Sequence, residues 1–489
     1  MAMIEALPCT GVPGEQVLAE LRELRSADLP THGGRLFAYV YDPAVAGLDE
    51  LAHAAYAISA HVNGLDPTAF PSLLAMENAL VAAAGRLLGG GPGTDAPGVV
   101  GSVTSGGTES LILAVKAARD AHPEIERPRL VIPSTAHAAF AKAAHYLRVA
   151  LDVVPVGPDL RADPAATAAA IRPETVLVAG SAPSYAHGVV DPIPELAAVA
   201  AARGVRFHVD ACFGGWLLPY LRRLGAGLQA FDFAVPGVTS ISVDLHKYAY
   251  APKGVAVLLH RDAALRMAQF FAYAEWPGYT MVNPVISSTR SGGPIAAALA
   301  TMRHLGDDGY LRLAGHTRDA VAVLAGAVEA TGGVRLFAPP ETSVVCLAAE
   351  PGVDLFVLAD ELAARGWHTQ PQLAYGKLPA TIHLTVTAAV GATAAEFGPD
   401  LAAAVAATRA RGPIELPPAL LAAAGALTPE MVTPELVEGL AAGLGLGEDV
   451  GKSLAAVNSL LNVAPPALRE ALLAGFLSLL QRPTWHGVG

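Results

Sequence analysis

The chain has 489 residues, more than one ordinary hydrophobic core holds, so we expect at least two structural units. Hydrophobic residues make up 53% of it, but the excess is mostly alanine, and no apolar run approaches the roughly 18 to 20 residues of a membrane-spanning helix. The net charge of −12 is spread without long runs, which argues against nucleic acid or an anionic membrane as the main partner.

The cysteines and the first residues bear on location. Cys9, Cys212 and Cys346 are widely spaced and predict neither a disulfide framework nor a metal site. The N-terminus lacks a basic stretch followed by an apolar segment, so no secretory signal is visible. We therefore predict a cytoplasmic protein without a transmembrane segment.

The predicted elements begin with an N-terminal arm over residues 1–60, which includes a helical run at 48–60. Residues 61–300 form the largest predicted unit, because short apolar strands alternate there with helices. The strands are 129–133, 151–156, 175–179 and 205–209, and the helices are 136–147, 165–171 and 194–203. Such alternation predicts a mostly parallel sheet with helices on both faces, in which ligands bind at the carboxyl ends of the strands.

Two further units are predicted in the C-terminal part. Residues 301–411 contain three predicted strands with intervening helices, which indicates a smaller α/β domain; the strands are 334–337, 343–347 and 382–386. Residues 412–489 begin with a proline-rich linker at 413–418 and continue as a helical, leucine-rich extension from 420 to 481.

A lysine and an aspartate stand at the ends of two predicted strands. Lys247 follows the run 240–243, and Asp210 closes the strand 205–209. A lysine held there can form a Schiff base, and the carboxylate can meet the protonated ring nitrogen of pyridoxal phosphate. A third element is the glycine- and hydroxyl-rich segment 103–110, which precedes a helical run and would place a phosphate against a helix N-terminus. Together these elements predict a pyridoxal phosphate site.

Four sequence blocks carry a resemblance to a known family. They are 104–110 (TSGGTES), 134–144 (STAHAAFAKAA), 208–215 (HVDACFGG) and 237–254 (GVTSISVDLHKYAYAPKG). The chain resembles the group II pyridoxal-phosphate-dependent decarboxylases and, within them, the sphingosine-1-phosphate lyases of the soluble bacterial type. The resemblance implies an α/β protein of the pyridoxal-phosphate-dependent transferase fold type I, with a mostly parallel sheet in a large domain and a smaller C-terminal α/β domain.

The same resemblance implies which residues surround the cofactor. Gly107 and Thr108 would hold its phosphate, with His246 as an additional donor. His137 would stack on the pyridine ring and keep the scissile bond perpendicular to the π system. Thr289 matches a segment that reaches the phosphate from the partner subunit, which implies a homodimer with shared active sites.

Three residues are candidates for the substrate by the same resemblance. Lys253 matches a lysine that helps bind the substrate phosphate, Tyr41 a tyrosine of the same group, and Asn63 an asparagine that lines the site. Two departures stand out. Asp66 replaces a histidine and would repel a phosphate if it pointed inward. No tyrosine follows Tyr375, so the closure of the site differs from that of the better-known members.

The resemblance therefore predicts a lyase for a phosphorylated long-chain 2-amino-3-hydroxy base such as sphingosine 1-phosphate. Retro-aldol cleavage would give a long-chain aldehyde and ethanolamine phosphate. The base that takes the 3-hydroxyl proton stays open among Lys247, Lys253, Tyr41 and a phosphate oxygen. Alternative functions are an amino-acid decarboxylase, an aldolase for a small β-hydroxy amino acid, and a catalytically silent subunit or scaffold of the same fold. Intact Lys247, Asp210 and His137 argue against the catalytically silent scaffold.

Overall fold

The computed structural model describes residues 7–416, 426–443 and 454–483. The helices of these residues are α1 (Gly14–Arg25), α2 (Leu48–Ser59), α3 (Pro71–Leu87), α4 (Gly107–Asp120), α5 (Ala139–Leu147), α6 (Pro164–Ala170), α7 (Ile193–Ala201), α8 (Leu218–Arg223), α9 (Ala263–Met267), α10 (Gly292–Ala330), α11 (Leu355–Ala363), α12 (Ala394–Arg411), α13 (Pro434–Gly443), α14 (Ala455–Val463) and α15 (Pro466–Leu480). The strands are β1 (Val100–Thr104), β2 (Arg129–Pro133), β3 (Ala150–Val154), β4 (Thr175–Ser181), β5 (Arg206–Asp210), β6 (Val238–Asp244), β7 (Ala256–His260), β8 (Phe271–Tyr273), β9 (Met281–Asn283), β10 (Val334–Leu336), β11 (Val344–Ala349), β12 (Gln370–Gln372) and β13 (Thr381–Thr385).

A seven-stranded sheet forms the centre of the larger unit. Its order is β1-β7-β6-β5-β4-β2-β3, and all its strands run in the same direction except β7. Every residue of β4 is buried, because helices cover both faces of the sheet and the strand needs no polar side. The predicted α/β class with a mostly parallel sheet is confirmed.

The strands β1, β5 and β6 end at the same edge of this sheet. Asp210, the last residue of β5, pairs with Ser242 of β6. The antiparallel β7 lies between β1 and β6, so those two strands are parallel to each other. The helix that begins at Gly107, the carboxylate of Asp210 and the turn that carries Lys247 therefore meet at one edge.

A second sheet of four antiparallel strands, β10-β11-β13-β12, belongs to the smaller C-terminal α/β domain. It packs with α11 and α12 around its own hydrophobic cluster, which also includes Phe37 and Trp367. The predicted boundary at residue 300 falls inside α10, whose backbone turns at Gly306 with a φ of 61°. The predicted limits of the four units remain a prediction.

The helical extension predicted for residues 420–481 is present over 426–443 and 454–483, where it forms α13, α14 and α15. The rest of that prediction lies outside the described residues. Helix α14 packs on α11 of the smaller domain, and α15 packs on α13. Across the part of the chain that the structure describes, no helix combines the length and the hydropathy needed to cross a bilayer.

Candidate active site

Lys247 lies beyond the carboxyl end of β6 in a turn over residues 245–255. Backbone hydrogen bonds close this turn at both ends. Within it Tyr250 adopts a left-handed φ of 58°, a conformation that costs a non-glycine residue about 1 kcal/mol. The turn brings the chain back on itself, so that Lys253 Nζ lies 3.5 Å from the carbonyl oxygen of His246.

Asp244, the last residue of β6, forms a buried ion pair with Lys247. Its Oδ2 lies 3.0 Å from Lys247 Nζ and 3.4 Å from His246 Nε2. Burial alone would lower the pKa of Lys247 and raise that of Asp244, but the attraction between the two charges outweighs burial in both cases. The pKa of Lys247 lies above its ordinary value, and the pKa of Asp244 is lowered to about 2. Both groups are therefore charged at neutral pH.

The ion pair faces a cavity of about 320 Å³ at the carboxyl edge of the sheet. The cavity is lined by Ser105, Gly106, Gly107, Thr108, Glu109, Leu111, His137, Asp210, Cys212, Asp244, His246 and Lys247. Six predicted site residues are thus brought together, namely Lys247, Asp210, His137, Gly107, Thr108 and His246. Their individual roles remain predictions.

Asp210 is a buried carboxylate on the lining of this cavity. Its Oδ1 accepts a hydrogen bond from the backbone N–H of Cys212 at 3.1 Å. The Cys212 thiol donates to Ser242 Oγ at 3.1 Å. Burial, together with the nearby charges of Asp210 and Asp244, raises the pKa of the Cys212 thiol. The thiol therefore stays protonated and packs beside Asp210 rather than acting as a nucleophile.

The loop between β1 and α4 leaves room for a phosphate because it contains glycines. A Cβ atom on Gly107 would lie 2.8 Å from Cys212 Sγ and 2.9 Å from Asp244 Oδ1. Helix α4 begins at Gly107 without a side-chain cap. The first N–H groups of the helix are therefore available to an anion in the cavity.

Glu109 fixes this loop from within α4. Its Oε2 accepts the N–H of Ser105 at 2.6 Å, and its Oε1 accepts the N–H of Ile286 at 2.8 Å. The carboxylate thereby joins the glycine loop to the segment that leads to Thr289. Sequence reasoning missed this role because Ile286 is 177 residues away; the only local signal is an acidic residue in the first turn of a helix.

His137 lies just before a helix, not inside one. The helix predicted for residues 136–147 was placed too early, since α5 begins at Ala139. The N–H of Ala139 donates to His137 Nδ1 at 3.1 Å, which assigns Nδ1 as the acceptor. The imidazole ring lines the cavity and meets the edge of Tyr185 with 6.3 Å between ring centroids.

Lys253 and Tyr41 lie together beside the cavity. The Lys253 ammonium is 4.9 Å from the centroid of the Tyr41 ring. The Lys253 side chain is exposed, yet the dense surroundings partly desolvate its ammonium and Lys247 repels it, so its pKa falls to about 8. Burial raises the pKa of Tyr41 well above its ordinary value. The pair offers a cation and a protonated hydroxyl outside the glycine loop.

The remaining predicted residues do not line this cavity in a single chain. Asn63 pairs through its backbone with Ser291, and Thr289 is exposed. Asp66 folds back on its own chain, where its Oδ1 accepts from the Thr68 N–H at 2.8 Å and from the Thr68 hydroxyl at 2.6 Å. The Thr68 hydroxyl lowers the pKa of Asp66. The inward-pointing carboxylate considered from the sequence is therefore not observed.

Tyr185 is a second residue that sequence reasoning missed. Its hydroxyl donates to Gln370 Oε1 at 2.6 Å, and its ring stacks on His383 with a centroid separation of 4.6 Å. Gln370 and His383 belong to the smaller sheet, so Tyr185 joins the two sheets at the wall of the site. The tyrosine and Gln370 are 185 residues apart, and no local pattern indicates their contact.

Comparisons with known proteins assign the chain to a family. The model of the pyridoxal-dependent decarboxylase conserved domain matches residues 31–350. The sphingosine-1-phosphate lyase of Arabidopsis thaliana is 37% identical over 417 residues, which cover 84% of this chain and 75% of that protein. The chain belongs to the sphingosine-1-phosphate lyase family. Sphingosine-1-phosphate lyase 1 of Rattus norvegicus is also 37% identical, over 78% of this chain and 66% of its own length.

Further similarities extend to a solved structure and to the C-terminal part. The sphingosine-1-phosphate lyase of Burkholderia pseudomallei superposes with a TM-score of 0.78 at 34% identity, over 84% of this chain and 94% of that one. The fold type I prediction is thereby confirmed. A model of an HTH-like C-terminal domain of pyridoxal-dependent enzymes matches residues 418–479.

Membership of this family makes the chain a pyridoxal-phosphate-dependent lyase, and the residues of the cavity fit that cofactor. Lys247 offers an amine, Asp210 a carboxylate, and the loop at Gly107 leaves space and backbone N–H groups for an anion. Among the described residues, Asp244 Oδ1 and His246 Nδ1 are buried polar atoms without a hydrogen-bond partner, which a bound polar group would satisfy.

Proposed function

We propose that the chain cleaves sphingosine 1-phosphate, or a closely similar phosphorylated long-chain base, to a long-chain aldehyde and ethanolamine phosphate. The observation that carries this proposal is the pair of Lys253 and Tyr41 beside the cavity. The pair supplies a cation and a hydroxyl for a second phosphate, separate from the glycine loop that suits the cofactor. The activity in the names of the Arabidopsis and rat relatives supports the same substrate.

The positions of the cavity residues support the roles that we propose for them. When bound, pyridoxal phosphate supplies the electron sink for breaking the Cα–Cβ bond of the substrate. Lys247 would hold the cofactor covalently and, once displaced by the substrate amine, carry a proton on Nζ. Asp210 would keep the ring nitrogen protonated. The cofactor phosphate would be bound by Gly107, Thr108 and His246, and His137 would restrain the tilt of the ring.

The proton of the substrate 3-hydroxyl needs a base. Tyr41 is a poor candidate, because its raised pKa keeps the phenol protonated and makes it a hydrogen-bond donor. Lys247 lines the cavity and can serve, and a phosphate oxygen of the substrate is a second candidate. We therefore propose Tyr41 and Lys253 as the ligands of the substrate phosphate, and Lys247 or a phosphate oxygen of the substrate as the base.

A homodimer with shared sites is part of the proposal. Helix α1 contains no buried residue, yet one of its faces consists of exposed apolar side chains, which a second copy would cover. These are Val17, Leu18, Leu21 and Leu24. Thr289 is exposed at the end of the segment held by Glu109, where it would reach a partner. Asn63 is proposed to line the site in the same assembly.

A cytoplasmic location is also part of the proposal. It is supported by the cysteines Cys9, Cys212 and Cys346, which are free, as is usual in a reducing compartment.

The test is a substrate comparison with the cofactor-loaded protein. We expect long-chain aldehyde from sphingosine 1-phosphate, and no carbon dioxide from a panel of free amino acids. Lys247→Ala is the matched blank. Carbon dioxide without aldehyde would contradict the proposal and indicate an amino-acid decarboxylase.

A further inference from the structure

Helix α14 is held on the smaller domain at both of its ends. At its start, the carboxylate of Asp360 in α11 accepts the N–H groups of Leu454 at 3.0 Å and Ala455 at 3.2 Å. At its end, Asn462 Oδ1 accepts the N–H of Ala374 at 2.8 Å. The helix is therefore joined to α11 at one end and to the loop after β12 at the other.

The loop that Asn462 contacts follows a weakly supported strand. β12 has three residues and lies at the edge of the four-stranded sheet, so only β13 pairs with it. Short edge strands have little intrinsic stability, and their position depends on what holds their ends. The Asn462 side chain binds the backbone two residues beyond the last residue of β12, which is Gln372.

The same strand contacts the active site. Gln370 accepts the hydroxyl of Tyr185 at 2.6 Å, and Gln372 Nε2 donates to the carbonyl of Ala186 at 2.8 Å. Tyr185 in turn meets the edge of the His137 ring and packs against Phe213 with 5.6 Å between centroids. The path from Asn462 to the cavity is thus continuous through β12.

The charge of the C-terminal region favours a packing role over DNA binding. The segment 418–479, matched by the HTH-like domain model, contains six acidic and two basic residues, a net charge of −4. A surface that binds phosphate backbones needs the opposite sign.

We propose that Asn462 is a positioning residue, through which α14 holds β12, and β12 holds Tyr185, at the wall of the active site beside His137. This inference deepens the proposed function, since it concerns how the same site holds its substrate. Lys247, Asp210 and the loop at Gly107 are positioned by the larger sheet, so cofactor binding by these three groups does not depend on this path.

The test uses the full-length, cofactor-loaded protein and a double-mutant cycle. Asn462→Ala removes one hydrogen bond and is expected to raise KM for sphingosine 1-phosphate about 3- to 10-fold, with kcat and cofactor affinity nearly unchanged. Tyr185→Phe is expected to act similarly. The double variant should be no worse than the more affected single variant, because both interrupt one path. Asn462→Asp keeps an acceptor oxygen for the N–H of Ala374, so its KM should stay near the wild-type value.

The matched control is Asn458→Ala, one turn earlier on α14, where no side-chain hydrogen bond is found among the described residues; its KM should equal that of the wild type. Hydrogen–deuterium exchange over 370–378 and around Tyr185, measured without substrate, should accelerate in Asn462→Ala and not in the control. If Asn462→Ala does not fold, Gln370→Ala interrupts the same path and must raise KM.

The outcomes separate the two proposals. An unchanged KM and unchanged exchange in Asn462→Ala, or fully multiplicative effects in the cycle, would overturn the positioning role. Absence of turnover by the wild type would refute only the proposed substrate, and the exchange measurement would still decide the role of Asn462.

Discussion

At the scale of single residues, the charge of Lys247 controls how fast it can react with the cofactor aldehyde. Its ion pair with Asp244 keeps the amine protonated, whereas only the neutral amine attacks an aldehyde. Asp244→Asn removes the largest charge that raises the pKa of Lys247, so that pKa falls. We expect the variant to capture pyridoxal phosphate faster near neutral pH, and its rate to level off at a lower pH than that of the wild type. Stopped-flow absorbance of the bound cofactor measures both.

The control for this prediction is Asp163→Asn, because Asp163 caps α6 and does not line the cavity, and asparagine caps helices equally well. Identical pH profiles for Asp244→Asn and the wild type would show that the carboxylate does not set the protonation of Lys247.

Lys253 makes substrate binding depend on pH, because its pKa is lowered whereas that of Lys247 is raised. Its pKa of about 8 means that the ammonium is charged below that pH and lost above it. If this cation binds the substrate phosphate, Lys253→Ala should raise KM about tenfold or more below pH 8. The ratio of variant to wild-type KM should fall toward one at higher pH, as the wild type loses the same charge.

Lys253→Arg is the matched comparison, since a guanidinium stays charged across this range. Its KM should therefore lack the rise near pH 8 that the wild type shows. A KM ratio for Lys253→Ala that does not change with pH would assign the lysine a structural role instead.

At the scale of elements, the N-terminus of α4 depends on Glu109. The carboxylate accepts backbone N–H groups from the glycine loop and from the segment before Thr289. Glu109→Gln turns one of these acceptors into a donor that faces an N–H group. We expect the dissociation constant of pyridoxal phosphate to rise about tenfold, as measured by absorbance titration. Glu126→Gln, an exposed substitution beyond the same helix, should leave it unchanged; equal loss in both variants would contradict the prediction.

The elements show which parts of the site can be read from sequence. β2 lies where the apolar run 129–133 predicted it, and parallel topology alone places Gly107, Asp210 and Lys247 at one edge. The start of α5 was misplaced because a side-chain acceptor, His137 Nδ1, replaces a helical turn there. Tyr185 and Glu109 were missed for a different reason. Their partners are distant in sequence, and such contacts follow from packing between units rather than from local periodicity.

At the scale of the whole molecule, the site lies between the larger and the smaller sheet, and the proposed role of Thr289 adds a second copy of the chain. The larger sheet positions the residues proposed to bind the cofactor, and the smaller sheet supplies Gln370 and His383 around Tyr185. Thr289 is exposed and does not line the cavity of its own chain. Its proposed function therefore requires a second copy, and this requirement can be tested independently of the substrate pose.

Mixed dimers decide whether Thr289 acts on the partner's site. Chains carrying Lys247→Ala and Thr289→Glu, each with a different tag, are co-expressed, and the doubly tagged dimer is isolated. If Thr289 acts across the interface, one site has both native residues and the dimer should show about half of wild-type activity. A wild-type chain paired with a chain carrying both substitutions should then be nearly inactive, because each site contains one altered residue. If Thr289 serves its own chain, the results are reversed: the dimer of the two single variants should be nearly inactive, and the dimer with one wild-type chain should show about half of wild-type activity. The two arrangements are therefore distinguished by which dimer is active.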